Sequence, residues 1–211
     1  MTRFRLRDAR TAEAEQAYYA RTYPDGYKHT VWPDHVERIA ASVALLDKWS
    51  SRFTTAADLS CGDGAVLRGI ASGLNRAYVG DLNASAPGDW PEPTQWEILP
   101  PGPLPYSLEG LTEQVDLFVL SETLEHMDDP DSLLSLITGH SRYLFVSTPV
   151  SERHDSGNLE HYWSWSIPDV HNMLMDNGWL PLERETLVPQ STLHMGDAYR
   201  YQLWLAVNRE R

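Results

Sequence analysis

Ala56-Ala57-Asp58-Leu59-Ser60-Cys61-Gly62-Asp63-Gly64 is the stretch whose reading decides the fold. A short apolar run ends in Asp58, a Ser/Gly-rich turn follows, and Ala65–Ala71 (AVLRGIA) then takes helical spacing. That order is strand, glycine turn, helix. Small residues let a backbone come close to its ligand, and a helix start offers unpaired N–H groups. The turn lacks the Gly-x-Gly-x-x-Gly spacing of a dinucleotide site. It reads Asp58-x-Ser60-x-Gly62-x-Gly64, so a nucleotide-like ligand and an ordinary strand–helix turn both stay open at this point.

Working outward, the next apolar run is Ala77–Asp81 (AYVGD), which closes on an acid 17 residues beyond Gly64. At the carboxyl end of a second strand, such an acid can accept hydrogen bonds from both hydroxyls of a ribose. Seven of the 14 prolines fall between Pro87 and Pro105. No long helix survives there, so the crossover to a third strand at Thr94–Leu99 is expected to lack its helix. Val115–Leu120 (VDLFVL) reads as a buried parallel strand, Asp131–Thr138 as a helix, and Arg142–Ser147 as a strand. Pro168–Gly178 reads as a helix burying Val170, Met173 and Leu174, with Leu180–Val188 and Tyr199–Asn208 as closing strands. The alternation predicts an α/β fold: a three-layer Rossmann-like sandwich on a seven-stranded, mostly parallel sheet with an antiparallel last strand.

Ser121-Glu122-Thr123-Leu124-Glu125-His126-Met127 follows the fourth strand. Ligands of open α/β sheets sit at the carboxyl ends of the central strands, which places this segment at a reaction centre. On a helical turn Glu122, Glu125 and His126 would share one face, with Ser121 as cap. Such a face can hold Mg²⁺ or Mn²⁺, or His126 can act alone as a general base. Two acids in a first helical turn with a hydrogen-bonded histidine are equally a structural arrangement.

The Asp58–Gly64 turn resembles motif I of the class I S-adenosylmethionine-dependent methyltransferases, and Asp81-Leu82-Asn83 resembles their Asp-x-Ser. The resemblance implies cofactor contacts at Asp58, Ser60, Cys61, Gly62, Gly64, Asp81, Leu82 and Ser121. It departs from the pattern where Pro100-Pro101-Gly102-Pro103 replaces the usual acidic adenine contact. Glu122-x-x-Glu125-His126 looks like the cation site of the ubiquinone-pathway O-methyltransferases and of the small-RNA terminal 2′-O-methyltransferases. In the latter a downstream histidine completes the site, and His161, in Glu160-His161-Tyr162-Trp163, is the matching candidate. The implied catalytic residues are Glu122, His126 and His161; the implied ligands of Mg²⁺ or Mn²⁺ are Glu122, Glu125, His126 and His161. His161 beside Tyr162, Trp163 and Trp165 can instead line an aromatic substrate pocket. The implied function is methyl transfer to oxygen, or nitrogen, of a small molecule. The alternatives are RNA 2′-O-methylation and S-adenosylmethionine binding without catalysis.

Composition narrows these. The net charge is −13, and it is uneven: residues 1–52 hold 9 Lys/Arg against 7 Asp/Glu, whereas the remainder holds 8 against 23. Such an excess repels a phosphate backbone and disfavours a nucleic-acid partner. No apolar run approaches a membrane span, and MTRFRLRDAR has no apolar signal core. The single cysteine, Cys61, excludes an internal disulfide; with the N-terminus it points to a cytoplasmic protein, and its place in the turn suits a backbone contact better than a nucleophile. Residues 1–52 read as a helical lid or extension and 53–211 as the cofactor-binding domain. In the extension, 8–22 and Pro33–Ser50 look helical, the second with an apolar face of Val36, Ile39, Ala40, Val43 and Leu46. Tyr18, Tyr19, Tyr23, Tyr27, His29 and Trp32 gather there, either as anchors or as substrate contacts. His29, His154 and His194 have no partner that the sequence identifies.

Overall fold

The computed structural model describes residues 3–83, 89–152, 158–195 and 200–210. Pro87, His154 and the His194 side chain lie outside them. Among these residues nine strands form: β1 (Phe4–Arg5), β2 (Thr55–Asp58), β3 (Arg76–Val79), β4 (Gln95–Ile98), β5 (Val115–Ser121), β6 (Ser141–Pro149), β7 (Trp163–Ser164), β8 (Trp179–Leu187) and β9 (Tyr201–Asn208). The helices are α1 (Ala12–Thr22), α2 (Pro33–Asp47), α3 (Ala65–Ile70), α4 (Pro130–Ile137) and α5 (Ile167–Asp176).

The main sheet has seven strands in the order β4-β3-β2-β5-β6-β9-β8. β2 pairs in parallel with β3 and β5, β3 with β4, and β5 with β6; β9 runs antiparallel between β6 and β8. Order reverses at β2, so the crevice opens at the carboxyl ends of β2 and β5, where both quoted motifs sit. The expected sandwich, strand count and reversed last strand are therefore observed.

Alternation along the strands builds two cores. Phe118 and Leu120 of β5 meet Leu133, Leu134, Val170, Met173 and Leu174 of α4 and α5. Leu117 and Val119 face Val66, Leu67 and Ile70 of α3 and Leu45 and Leu46 of α2. Each fully buried leucine contributes about 1.5–3 kcal/mol. Asp129 caps α4, and Ser166 with Asp169 makes a capping box on α5, which explains why both helices start where they do. Among the described residues no α-helix lies between β3 and β5, as the prolines require.

The expected α2 face is corrected in part: Leu46 is buried and Ile39 and Val43 pack against the core, but Val36 and Ala40 are exposed, and Arg38, Ser42 and Leu45 are buried in their place. α1 buries no residue. Phe4 and Arg5, unread in the sequence, pair with Ser164 and Trp163 and tie the N-terminus beside the 161–165 segment.

Candidate active site

At the end of β2, Asp58 Oδ1 accepts the Ser60 N–H at 3.1 Å and so closes the turn on itself. Asp58 is 2% exposed, and burial, with the nearby Asp81 charge, pushes its carboxyl up to about 7. The turn is joined to the end of β3 by Cys61 N–H to Gly80 O at 3.0 Å and by Gly62 N–H to Asp81 Oδ2 at 2.8 Å. Asp81 Oδ1 takes the Asn83 N–H at 3.3 Å, so backbone donors fix the carboxylate where it lines the cavity.

Gly62 and Gly64 have φ of 53° and 71°, a region side chains avoid. A Cβ on Gly62 would stand 3.0 Å from His29 Nε2, and one on Gly64 would stand 2.3 Å from the Trp90 ring. The close approach at these glycines is thus made by two side chains of the protein itself. Cys61 is buried in the core, and burial raises its thiol well above the ordinary range, which leaves it unreactive.

The Glu122–His126 segment is not one α-helical turn. Ser121 ends β5, Glu122 adopts φ 55°, and only Leu124–His126 coils, as a 3₁₀ turn. The left-handed residue rotates Glu122 away from the others. Its carboxylate accepts Ser147 Oγ at 2.9 Å and faces Arg38 Nε at 3.9 Å. Glu125 turns inward, fully buried; Oε2 accepts Thr148 Oγ1 at 3.1 Å, and Oε1 has no partner. Burial and the Glu122 charge push the Glu125 carboxyl up to about 8. One donor atom each from Glu125, His126 and His161 lies within 4.8 Å of the others.

The two histidines are held differently. His126 Nδ1 lies 3.1 Å from the Glu160 carbonyl oxygen and 3.2 Å from the Tyr19 hydroxyl. Burial, then the nearby His161, lower its pKa well below the usual imidazole value, so it stays neutral. His161 donates Nδ1–H to Glu152, and the Asn158 Nδ2 amide stands 3.1 Å from Nε2. Burial alone would lower His161, but Glu152, Glu125 and Glu122 raise it above its ordinary value.

Sequence reasoning missed two residues. Arg38 of α2, with no exposed surface, donates Nη1 to Ser121 Oγ at 2.6 Å and to Ser147 Oγ at 3.2 Å, while Nη2 lies 3.2 Å from His29 Nδ1. Its signal was an arginine spaced i, i+4, i+7, i+8 with Ser42, Leu45 and Leu46. Glu160 collects the hydroxyls of Tyr18 (3.2 Å), Tyr19 (3.4 Å) and Tyr23 (2.7 Å), binding α1 to the 158–165 segment. Of the two roles the sequence leaves open for these tyrosines, anchors or substrate contacts, these hydrogen bonds are anchoring ones.

One cavity of about 960 Å³ connects the two motifs. Ser60, Gly62, Asp81, Leu82 and Ser121 line it, whereas Asp58, Cys61 and Gly64 stand behind its wall and shape the turn. Glu122, His126 and His161 line it and Glu125 does not. Gly102, Pro103, Leu104 and Pro105 line it as well, as do Tyr19, Tyr27, His29, Trp32 and Tyr201, with His29 close to Gly62.

No protein-family model and no curated protein matches the sequence. Solved structures do match. The magnesium protoporphyrin IX methyltransferase of Synechocystis PCC 6803, with S-adenosylhomocysteine bound, superposes with a TM-score of 0.66 at 16% identity, over 93% of this chain and 99% of that one. The 1,6-didemethyltoxoflavin-N1-methyltransferase of Burkholderia thailandensis, with its substrate and S-adenosylhomocysteine, gives 0.62 at 15% identity over 98% and 94%. The [4+2]-cyclase SpnF gives 0.63 at 12% over 96% and 97%. The chain therefore has the Rossmann-like fold of the class I S-adenosylmethionine-dependent methyltransferases. That one of these structures is a cyclase shows that the fold alone does not name the reaction.

Proposed function

We propose that this chain is an S-adenosylmethionine-dependent methyltransferase acting on oxygen or nitrogen of a small molecule. The observation that carries the reading is the single cavity that runs from Asp81 and Gly62 to His126 and His161. The cofactor end suits its ligand: Asp81 lines the cavity at the carboxyl end of β3, where a carboxylate can accept a ribose hydroxyl, and Gly102–Leu104 line it where the family has an acidic adenine contact. Bound there, S-adenosylmethionine supplies an electrophilic methyl group on a sulfonium. The protein's work is then alignment and proton removal. His161, held by Glu152 with a raised pKa, accepts the acceptor's proton; His126 stays neutral, and α1 with Tyr19 serves as a lid that excludes water. Acidic walls disfavour the RNA reading.

A metal-assisted variant has one observation in its favour: the unpartnered Glu125 Oε1 stands within reach of His126 and His161. One carboxylate and two imidazoles suit Mn²⁺ better than Mg²⁺. Glu122 lies outside that set, and the Asn158 amide must leave His161 Nε2 for a cation to enter. The assay is transfer of labelled methyl from S-adenosylmethionine to a panel of small hydroxyl and amine acceptors, with EDTA or Mn²⁺. His161→Gln should lower kcat by about 10²–10⁴-fold with KM for the cofactor unchanged. Activity unchanged by EDTA removes the metal variant; transfer to no acceptor by a chain that binds the cofactor favours the non-catalytic alternative.

A further inference from the structure

Hydrogen-bonding capacity left over around the cavity is all of one kind. Among the described cavity-lining residues, the buried side-chain atoms without a partner are two carboxylate oxygens, Glu15 Oε1 and Glu152 Oε1. The Glu152 side chain is 3% exposed, and its other oxygen receives His161 Nδ1–H. The other Glu15 oxygen is taken by Arg10 Nη1 at 2.9 Å and by the Tyr162 hydroxyl at 2.6 Å. A buried carboxylate oxygen without a donor is unfavourable until something supplies one. No buried donor of a described lining residue is left over to match it.

The nearby cations are already committed. Arg10 holds Glu15 and the Leu159 carbonyl and lies 4.0 Å over the Tyr18 ring. Arg38 is bound to Ser121, Ser147 and His29. Against them stand further lining carboxylates, among them Asp34, which accepts the Tyr201 hydroxyl at 2.8 Å, Glu122 and Glu160. Aromatic rings of Tyr19, Tyr27, Trp32 and Tyr201 share this end of the cavity.

From this we infer that the methyl acceptor is a small molecule held through an ammonium group, anchored on Glu152. The inference rests on the methyltransferase reading. An ammonium offers three donors and no acceptor, the complement of what the cavity lacks. Charge-assisted hydrogen bonds to a carboxylate are the strong kind, and aromatic faces attract the same cation. A polyol brings lone pairs that find no spare buried donor among the described lining residues, and a carboxylate or phosphate meets an excess of carboxylates, the lining Arg10 being already held by Glu15.

Calorimetric titration of tyramine, N-acetyltyramine and 4-hydroxyphenylacetate into the full chain, saturated with S-adenosylhomocysteine, tests this. Tyramine should bind at least tenfold more tightly than its neutral N-acetyl form, and the acid most weakly. Glu152→Gln should remove most of the preference while leaving N-acetyltyramine within about threefold. Glu15→Gln, on a helix without buried residues, should lower the preference by a smaller factor and keeps the test readable if the first variant does not fold. Equal or tighter binding of the neutral or acidic analogue, a preference unchanged in the variants that fold, or no binding of any of the three overturns the inference. A separate titration of S-adenosylhomocysteine reports on the methyltransferase reading by itself, and the same three ligands titrated into the chain without it read the amine preference alone.

Discussion

A guanidinium without exposed surface lies beneath the cavity floor. Arg38 bonds Ser121 at the end of β5 and Ser147 on β6, and faces the Glu122 carboxylate. Removing one member of a buried ion pair strands the other, at about 3–5 kcal/mol. Arg38→Met should therefore lower stability by that amount, read by urea denaturation; a loss below about 1 kcal/mol would show that the pair contributes little. Asp58 gives a residue-scale test with a defined sign. Its carboxyl is pushed up to about 7 in the fold, against an ordinary value of 3.8. The folded chain thus keeps a proton that the unfolded chain has released, and the stability this confers is full below the unfolded value and lost as pH rises towards 7. Each pH unit in that window removes up to about 1.4 kcal/mol. Asp58→Asn should gain stability relative to wild type between pH 5 and pH 8, and parallel melting curves would contradict the assignment. Neither residue's environment was legible: a lone arginine in an apolar stripe reads as solvated, and Asp58 reads as a ligand contact until its carboxyl is seen turned into its own loop.

At the scale of elements, the contrast between α1 and α2 matters most. α2 is fastened by Leu45 and Leu46 in the core, whereas α1 buries no residue in it and is held chiefly by the hydroxyls of Tyr18, Tyr19 and Tyr23 on Glu160, with a ring contact from Tyr19 to His126. Elements with few buried contacts open at low free energy. Replacing Tyr18, Tyr19 and Tyr23 by Phe should speed proteolytic cleavage within residues 8–22 several-fold while shifting the global melting temperature by only a few degrees; an unchanged cleavage rate would show that the tyrosines do not latch the helix. The sequence made α1 legible through its good helix formers and α2 through its apolar periodicity. It did not reveal that the Glu122–His126 segment breaks at a left-handed glutamate, because nothing local marks a non-glycine for φ 55°. The side-chain set read on one face is consequently split, with Glu122 on Arg38 and Glu125 beside His126 and His161. The proline-rich crossover was read correctly, since proline forbids a helix whatever the tertiary context.

For the whole molecule, the seven-stranded order with β9 reversed follows from buried apolar runs and from connections that only a parallel sheet accommodates. No helix among the described residues is long and apolar enough to cross a membrane. Charge acts at this scale too: the acidic bulk of the chain and the carboxylates on the cavity wall have the same sign, so both discourage anionic acceptors. The turn at Asp58–Gly64, Asp81 and the shared cavity together make the central claim, that this molecule binds S-adenosylmethionine or its demethylated product at the carboxyl end of β2. Thermal melting of the full chain with S-adenosylhomocysteine tests it most directly. At a hundredfold excess over Kd the ligand should add about 2.7 kcal/mol, a rise in Tm of about 5–10 °C for a chain of this size. Asp81→Ala should abolish the rise. A folded wild-type chain whose Tm does not move at millimolar ligand would contradict the account.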